Sequence, residues 1–185
     1  MNIGLISDTH GSLMAWVKAV NDYFSKADLL LHGGDVLYHG PRNPMPEGYQ
    51  PADLSSAMNN CPFPILICRG NCDSDIDQQM VNIPIQSPYV MVWIDRLKIM
   101  VLHGDGLTEE ELGKLAERYR LDILIIGHTH IHRIQEGEGY IILNPGSPSL
   151  PKGDGRGTIG LIDSLDKSAR VIDLDSGNVL EFIKW

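Results

Sequence analysis

Five short stretches of this 185-residue chain end an apolar run in residues able to bind metal ions: Asp8-Thr9-His10, Gly34-Asp35, Gly70-Asn71-Cys72-Asp73, His103-Gly104 and Gly127-His128-Thr129-His130. Carboxylate, carboxamide and imidazole donors without a thiolate suit Mn²⁺, Fe²⁺, Zn²⁺, Ni²⁺ or Co²⁺, and a carboxylate has two oxygens with which to join two ions. Two such ions about 4 Å apart can hold a water whose pKa falls from about 15.7 toward 7, and they can polarise a bound substrate. A lone histidine after a strand is more often a hydrogen-bonded structural residue. Four at strand ends, accompanied by two aspartates and an asparagine, favour a dinuclear metal site instead.

The elements that must position these residues are short. Residues 2–6, 28–31, 65–68, 99–102 and 122–126 read as buried strands, so every ligand set falls at a strand's C-terminal end. In open α/β sheets the loops leaving those ends converge, which lets five of them meet at one place. Within Asp8-x-His10 and His128-x-His130 the two side chains are two residues apart, and in extended backbone such residues point to one side. After Ser12, placed to cap, Leu13, Trp16, Val17, Val20 and Phe24 fall on one helical face. This helix joins the first two strands as parallel neighbours in a right-handed βαβ unit. Residues 36–53 carry Pro41, Pro44, Pro46 and Pro51, too many for a strand or helix interior, and are expected to form a functional flap. Thr108 and Glu111 have capping-box spacing at the head of a helix running to about Tyr119. Residues 140–162, 170–174 and 179–183 alternate apolar and polar side chains between turn signals and predict mostly antiparallel strands. The pattern predicts a single domain over 1–185, an α/β four-layer αββα sandwich of two mixed β-sheets flanked by helices.

Composition narrows the function. With 43% hydrophobic and 21% charged residues the chain is an ordinary globular one, and no apolar run approaches the roughly 20 residues that span a bilayer. A cytoplasmic protein without a membrane partner is expected. The net charge of -9 argues against a surface that grips nucleic acid by its phosphates and leaves small anionic substrates open. Cys61, Cys68 and Cys72 are odd in number and lack Cys-x-x-Cys spacing, so free thiols are expected.

The order Asp-x-His, Gly-Asp, Gly-Asn-x-Asp, His-Gly, Gly-x-His-x-His resembles the calcineurin-like metallophosphoesterases over nearly the whole chain. Gly34-Asp35-Val36 followed by His39-Gly40-Pro41-Arg42-Asn43, then Gly70-Asn71-Cys72-Asp73 and Asn144-Pro145-Gly146-Ser147, is similar to the YfcE-type phosphodiesterases of bacteria. The resemblance implies one metal held by Asp8, His10, Asp35 and His130, and another by Asp35, Asn71, His103 and His128, with Asp35 bridging. It also implies manganese as the metal and a homo-oligomer. Hydrolysis is then expected to proceed by direct attack of a metal-bridging hydroxide on a small phosphodiester, with neither Ser147 nor Cys72 needed as nucleophile.

One position departs from the wider superfamily. Many members have His between Asn and the acidic residue, where it protonates the leaving oxygen, but Cys72 stands there in this chain. General acid catalysis is typically worth about 10² to 10⁴ in rate, so diesters with good leaving groups are the expected substrates. His39 is assigned to the loop as proton donor or phosphate contact, Asp73 to orienting the ligand loops, and Arg42 to gripping phosphate. Arg69 is a like candidate, although arginines near loops are usually solvated or paired with acids, and Lys152 is a further positive group near the motifs. His32 is read as a packed structural histidine, His132 as either near the metals or at the start of a strand, and Asn144 to Pro148 as a turn that shapes the pocket wall. Two other readings stand beside the diesterase: a monoesterase for nucleotide or sugar phosphates, and a non-catalytic scaffold of the same fold. All seven expected ligands are present, which disfavours the scaffold.

Overall fold

The structure is a computed structural model that describes residues 1–185. Its first sheet has the order β12-β11-β10-β1-β2-β3-β4 and its second β5-β6-β7-β9-β8. In the first, β1 (Asn2–Ile6), β2 (Leu29–His32), β3 (Ile65–Cys68) and β4 (Ile85–Gln86) are parallel. β10 (Thr158–Asp163), β11 (Ser168–Asp173) and β12 (Val179–Lys184) add antiparallel strands beyond β1. In the second, β6 (Leu97–Val101), β7 (Ile123–Ile125) and β9 (Ile141–Asn144) are parallel, edged by antiparallel β5 (Val90–Ile94) and β8 (Arg133–Glu136).

Alternation along the strands divides the core. Ile3, Leu5, Leu29 and Leu31 of the first sheet pack with Ile99, Val101, Ile123 and Ile125 of the second in one apolar cluster, which Leu112 and Ala116 of α4 (Glu109–Tyr119) join. The opposite face of the first sheet, with Ile6, Leu30 and Ile67, packs on Trp16, Ala19 and Phe24 of the first helical segment and on Leu54 and Met58 of α2 (Pro51–Asn59). The four-layer sandwich is therefore the observed architecture.

Several local expectations shift. The first helix is α1 (Leu13–Ala19), capped by the Ser12 side chain, and it continues through a wider π-type turn at Val20–Phe24. Val17, expected on the buried face, is 41% exposed, because that face is centred on Ala15, Trp16 and Ala19. The proline-rich stretch ends earlier than its composition suggests: Pro51 opens α2, where its missing N–H costs nothing. It is also tied down, since Leu13 N–H donates to the Gly48 carbonyl and Ser12 Oγ donates to Glu47. Strand β9, placed by its alternation among antiparallel strands, pairs in parallel with β7 and antiparallel only with β8. α3 (Asp75–Met80), β5 and β8 are elements that the sequence patterns above do not announce.

Candidate metal centre

The loops after β1, β2, β3, β6 and β7 all leave the C-terminal ends of parallel strands, and they bring Asp8, His10, Asp35, Asn71, His103, His128 and His130 together. On one side, His130 Nε2 lies 3.3 Å and His10 Nε2 3.9 Å from Asp8 Oδ1. On the other, Asn71 Oδ1 lies 3.1 Å from His103 Nε2 and 2.8 Å from His128 Nδ1. Asp35 Oδ2 stands between, 3.7 Å from His10 Nε2 and 3.4 Å from His103 Nε2. Its Oδ1 is already taken by the Cys72 N–H at 2.8 Å, so a single oxygen of this carboxylate faces both halves.

Backbone groups fix the rings. His10 Nδ1 donates to the Tyr38 carbonyl at 2.7 Å, His130 Nδ1 to Leu150 at 2.7 Å and His103 Nδ1 to Gly33 at 2.8 Å. In His10 and His130 the bond leaves Nε2 with a free lone pair, and in all three rings it turns Nε2 toward the other donors. The Nε2 atoms of His10 and His130 then face each other at 3.1 Å, and Asp8 Oδ1 beside them is buried without a hydrogen-bond partner. Two lone pairs and an orphaned carboxylate oxygen converging out of water are destabilising unless a cation joins them. The donor set fits divalent cations on this ground, and Asp8, Asp35 and His103 form a second close group of candidate ligands.

The local backbone is shaped to the same end. Asp8, His10, Asp35, His128 and His130 all have φ between 46° and 67°, a left-handed conformation that costs a non-glycine residue about 1 to 2 kcal/mol. Gly70 and Gly127 are required by proximity: a Cβ at Gly70 would collide with the Asp35 carboxylate, and one at Gly127 with Ser7 Oγ.

Charge is concentrated here. Burial opposes ionisation of Asp35, but His103 and the Cys72 N–H outweigh it and hold the carboxyl well below the usual range. Burial of Asp8 is likewise outweighed, by the neighbouring imidazoles of His130 and His103. Burial would lower His103, yet Asp35 and Asp8 push it up to about 9. Burial pushes the Cys72 thiol up to about 12, with Asp35 adding to the effect.

The remaining assigned residues divide. Asp73 is buried, and its carboxylate accepts from the N–H groups of Asp35, Val36 and Gly70 at 2.7 to 2.9 Å, tying the second ligand loop to the third. Cys72 and Arg42 line a cleft of about 1030 Å³ beside the centre, together with Asn43, Lys152, His128 and His130. His39 is not among the lining side chains; its ring packs edge-on against Tyr38 and Tyr49. Arg69 donates to the Asp73 carbonyl and pairs with Asp75 at 3.4 Å, so its charge is engaged. His32 is a packed residue: Nδ1 accepts from the Gly34 N–H, and Nε2 meets Thr9 Oγ1, whose hydroxyl donates to Val36. His132 sits away from the ligands, between Glu181 at 2.6 Å and Asp154 at 3.2 Å.

Asn144–Pro148, read from the sequence as a turn that only shapes the wall, does more in the structure. Ser147 Oγ and Ser149 Oγ both donate to the Asp8 carbonyl, at 2.7 and 3.1 Å. Asn144 Nδ2 donates to Gly127 O at 2.9 Å and lies 3.0 Å from Thr129 Oγ1. These residues brace the left-handed turns at Asp8 and His128. The available signal was position, since they come after β9 at the edge that the ligand loops share.

A sandwich of two sheets whose converging loops gather carboxylate, imidazole and carboxamide donors is the scaffold of a metal-dependent phosphoric ester hydrolase. The profile of the calcineurin-like phosphoesterase superfamily domain matches residues 1–167, and the chain belongs to that superfamily. It is 36% identical to the phosphodiesterase YfcE of Escherichia coli K12 over 165 residues, 89% of this chain and 88% of that one. The solved structure of the E. coli phosphoesterase YfcE superposes with a TM-score of 0.87 at 32% identity, covering 99% of this chain and 98% of the other. Vacuolar protein sorting 29 from Cryptosporidium parvum shares the fold, with a TM-score of 0.71 at 22% identity and coverage of 100% and 98%. Divalent metal ions come with the family, and no helix is long and apolar enough to cross a membrane.

Proposed function

We propose that the protein is a dinuclear phosphodiesterase, with Asp8, His10, Asp35 and His130 holding one cation and Asp35, Asn71, His103 and His128 the other. The observation that carries the reading is Asp35 Oδ2, which faces both His10 and His103. When bound, two divalent cations supply Lewis acidity toward phosphoryl oxygens and lower the pKa of water. Manganese is the proposed metal on the likeness to the YfcE-type phosphodiesterases, and the mixed oxygen and imidazole donors also suit Fe²⁺, Zn²⁺, Ni²⁺ or Co²⁺.

The chain's own residues do the rest. The carbonyls of Tyr38, Gly33 and Leu150 hold three imidazoles in the ligating tautomer, and the Cys72 N–H orients Asp35. No side chain serves as nucleophile: Ser147 is buried and bonded to Asp8, and Cys72 keeps its proton. Hydrolysis is accordingly one direct step with water. A thiol pushed up to about 12 is also a poor acid at neutral pH, so little protonation of the leaving oxygen is available from it. Good leaving groups such as aryl oxides are favoured. Arg42 and Lys152 line the cleft, form no ion pair, and contact phosphate or the departing anion. Those two cations are also the observation that keeps a monoesterase in view, since they suit a dianion. We further read the protein as a cytoplasmic single-domain enzyme, capable of self-association, for small substrates, in line with its net charge of -9.

Chelator-stripped protein, reconstituted with single metals and assayed on bis(4-nitrophenyl) phosphate, 4-nitrophenyl phosphate and cyclic nucleotides, tests class, cofactor and preference together. Manganese is expected to restore most activity, with the diester hydrolysed at least about tenfold better than the monoester. A faster monoester would overturn the diester assignment.

A further inference from the structure

A phosphodiester carries two ester arms, and two cavities flank Asn71. The first is the large polar cleft. The second, of about 480 Å³, opens on the other side of the same residue and is bounded there by Arg69, Gly70, Asn71 and His103. The rest of its lining is mostly apolar, with Leu102 just past β6, Leu107 and Leu115 before and within α4, and Pro88 and Tyr89 leading into β5, interrupted by Ser87, Gly104 and Asp105. Leu107 leaves 42% of its surface in water. The two cavities share Arg69 and Asn71, so both open onto the proposed metal ligands.

We propose that the second cavity is the subsite for the ester arm that stays on phosphorus, and that it takes an uncharged, flat apolar group such as an aryl ring. The proposal rests on the diesterase reading. In hydrolysis the leaving oxygen takes up negative charge while the retained arm does not. An apolar wall with the Asp105 carboxylate at its rim disfavours a developing anion, whereas the cleft offers Arg42 and Lys152. Arg69, already engaged by Asp73 and Asp75, is a poor partner for a second charge. An uncharged ring loses nothing in this cavity and covers Leu107, which makes Leu107 a specificity-determining residue.

Two substrates with one leaving group test this: phenyl 4-nitrophenyl phosphate and methyl 4-nitrophenyl phosphate, assayed with the manganese-loaded full chain. The ratio of their kcat/KM values is expected to be about ten in favour of phenyl and to fall to about two or less in Leu107→Ser. Leu165→Ser, in the remote turn after β10, should leave the ratio unchanged. Calorimetry with phenylphosphonate and methylphosphonate, which have no ester bond to hydrolyse, should give a parallel tenfold preference that Leu107→Ser removes. Phosphonates bound equally well, or a preference indifferent to Leu107, would overturn the subsite whatever the turnover. Failure to hydrolyse both diesters, with the phosphonate preference intact, would instead sink the diesterase reading and leave the cavity only as a binding site for an aryl group.

Discussion

On one side of Asp35 the donors Asp8, His10 and His130 are 0%, 0% and 3% exposed; on the other, His103 is buried, but Asn71 is exposed and His128 half-buried. The first half has an anionic donor of its own, kept out of water and braced by Ser7, Ser147 and Ser149. The second has only neutral donors besides the shared Asp35, and Asn71 and His128 stand in the cleft wall. Attraction between unlike charges is several times stronger in a buried site than at the surface. The two halves are therefore expected to differ in affinity, the buried one holding its cation firmly and the open one exchanging it beside the substrate.

Removing what the halves share should have the largest effect. Asp35→Asn keeps the shape but deletes the common charge, and turnover is expected to fall by at least about 10³ while bound metal drops from two per chain to one or fewer. Full activity with two metals retained would show that the halves do not depend on this carboxylate.

A smaller effect concerns the bracing of the buried half. Burial lowers His32 to about 4, so as pH falls below about 6.5 the unfolded chain takes up a proton that the folded one refuses. Stability supplied by the neutral ring is complete above that pH and is lost as pH falls toward 4, by ~3 kcal/mol. His103 does not contribute in this window, since its pKa is raised and its contribution is lost only on the alkaline side. Urea unfolding of chelator-treated protein should show this extra acid sensitivity in the parent and not in His32→Gln; parallel pH profiles would remove His32 from the account.

The smallest effect separates the halves directly. In calorimetric metal titrations His128→Ala should weaken only the looser binding phase, by about tenfold, while His130→Ala should act on the tighter one. Equal losses in one phase would mean that the two halves bind alike.

Much of this arrangement was legible in the chain because each ligand set closes an apolar run. Ile65 to Cys68 and Asn2 to Ile6 announce strands, and the residues after each run must lie at a strand end. Thr108 and Glu111 announce α4 by local capping alone. The bracing was not legible, since Ser147 meets the Asp8 carbonyl 139 residues away and only the sheet order brings them together. β8, reading Arg-Ile-Gln-Glu, has too few apolar residues to signal a strand and forms because β9 offers it an edge. His39 is a chemically capable residue next to the site whose ring packs edge-on against two tyrosines, a contact that the motif's spacing does not announce.

The left-handed turns at Asp8, His10, Asp35, His128 and His130 carry an implication for how such a scaffold could drift. Each is a place where a single change to glycine would relieve torsional strain of about 1 kcal/mol or more. A descendant with no use for ions would gain robustness by shedding these side chains one after another. Their joint presence is tension that the binding of ions, as proposed, would repay.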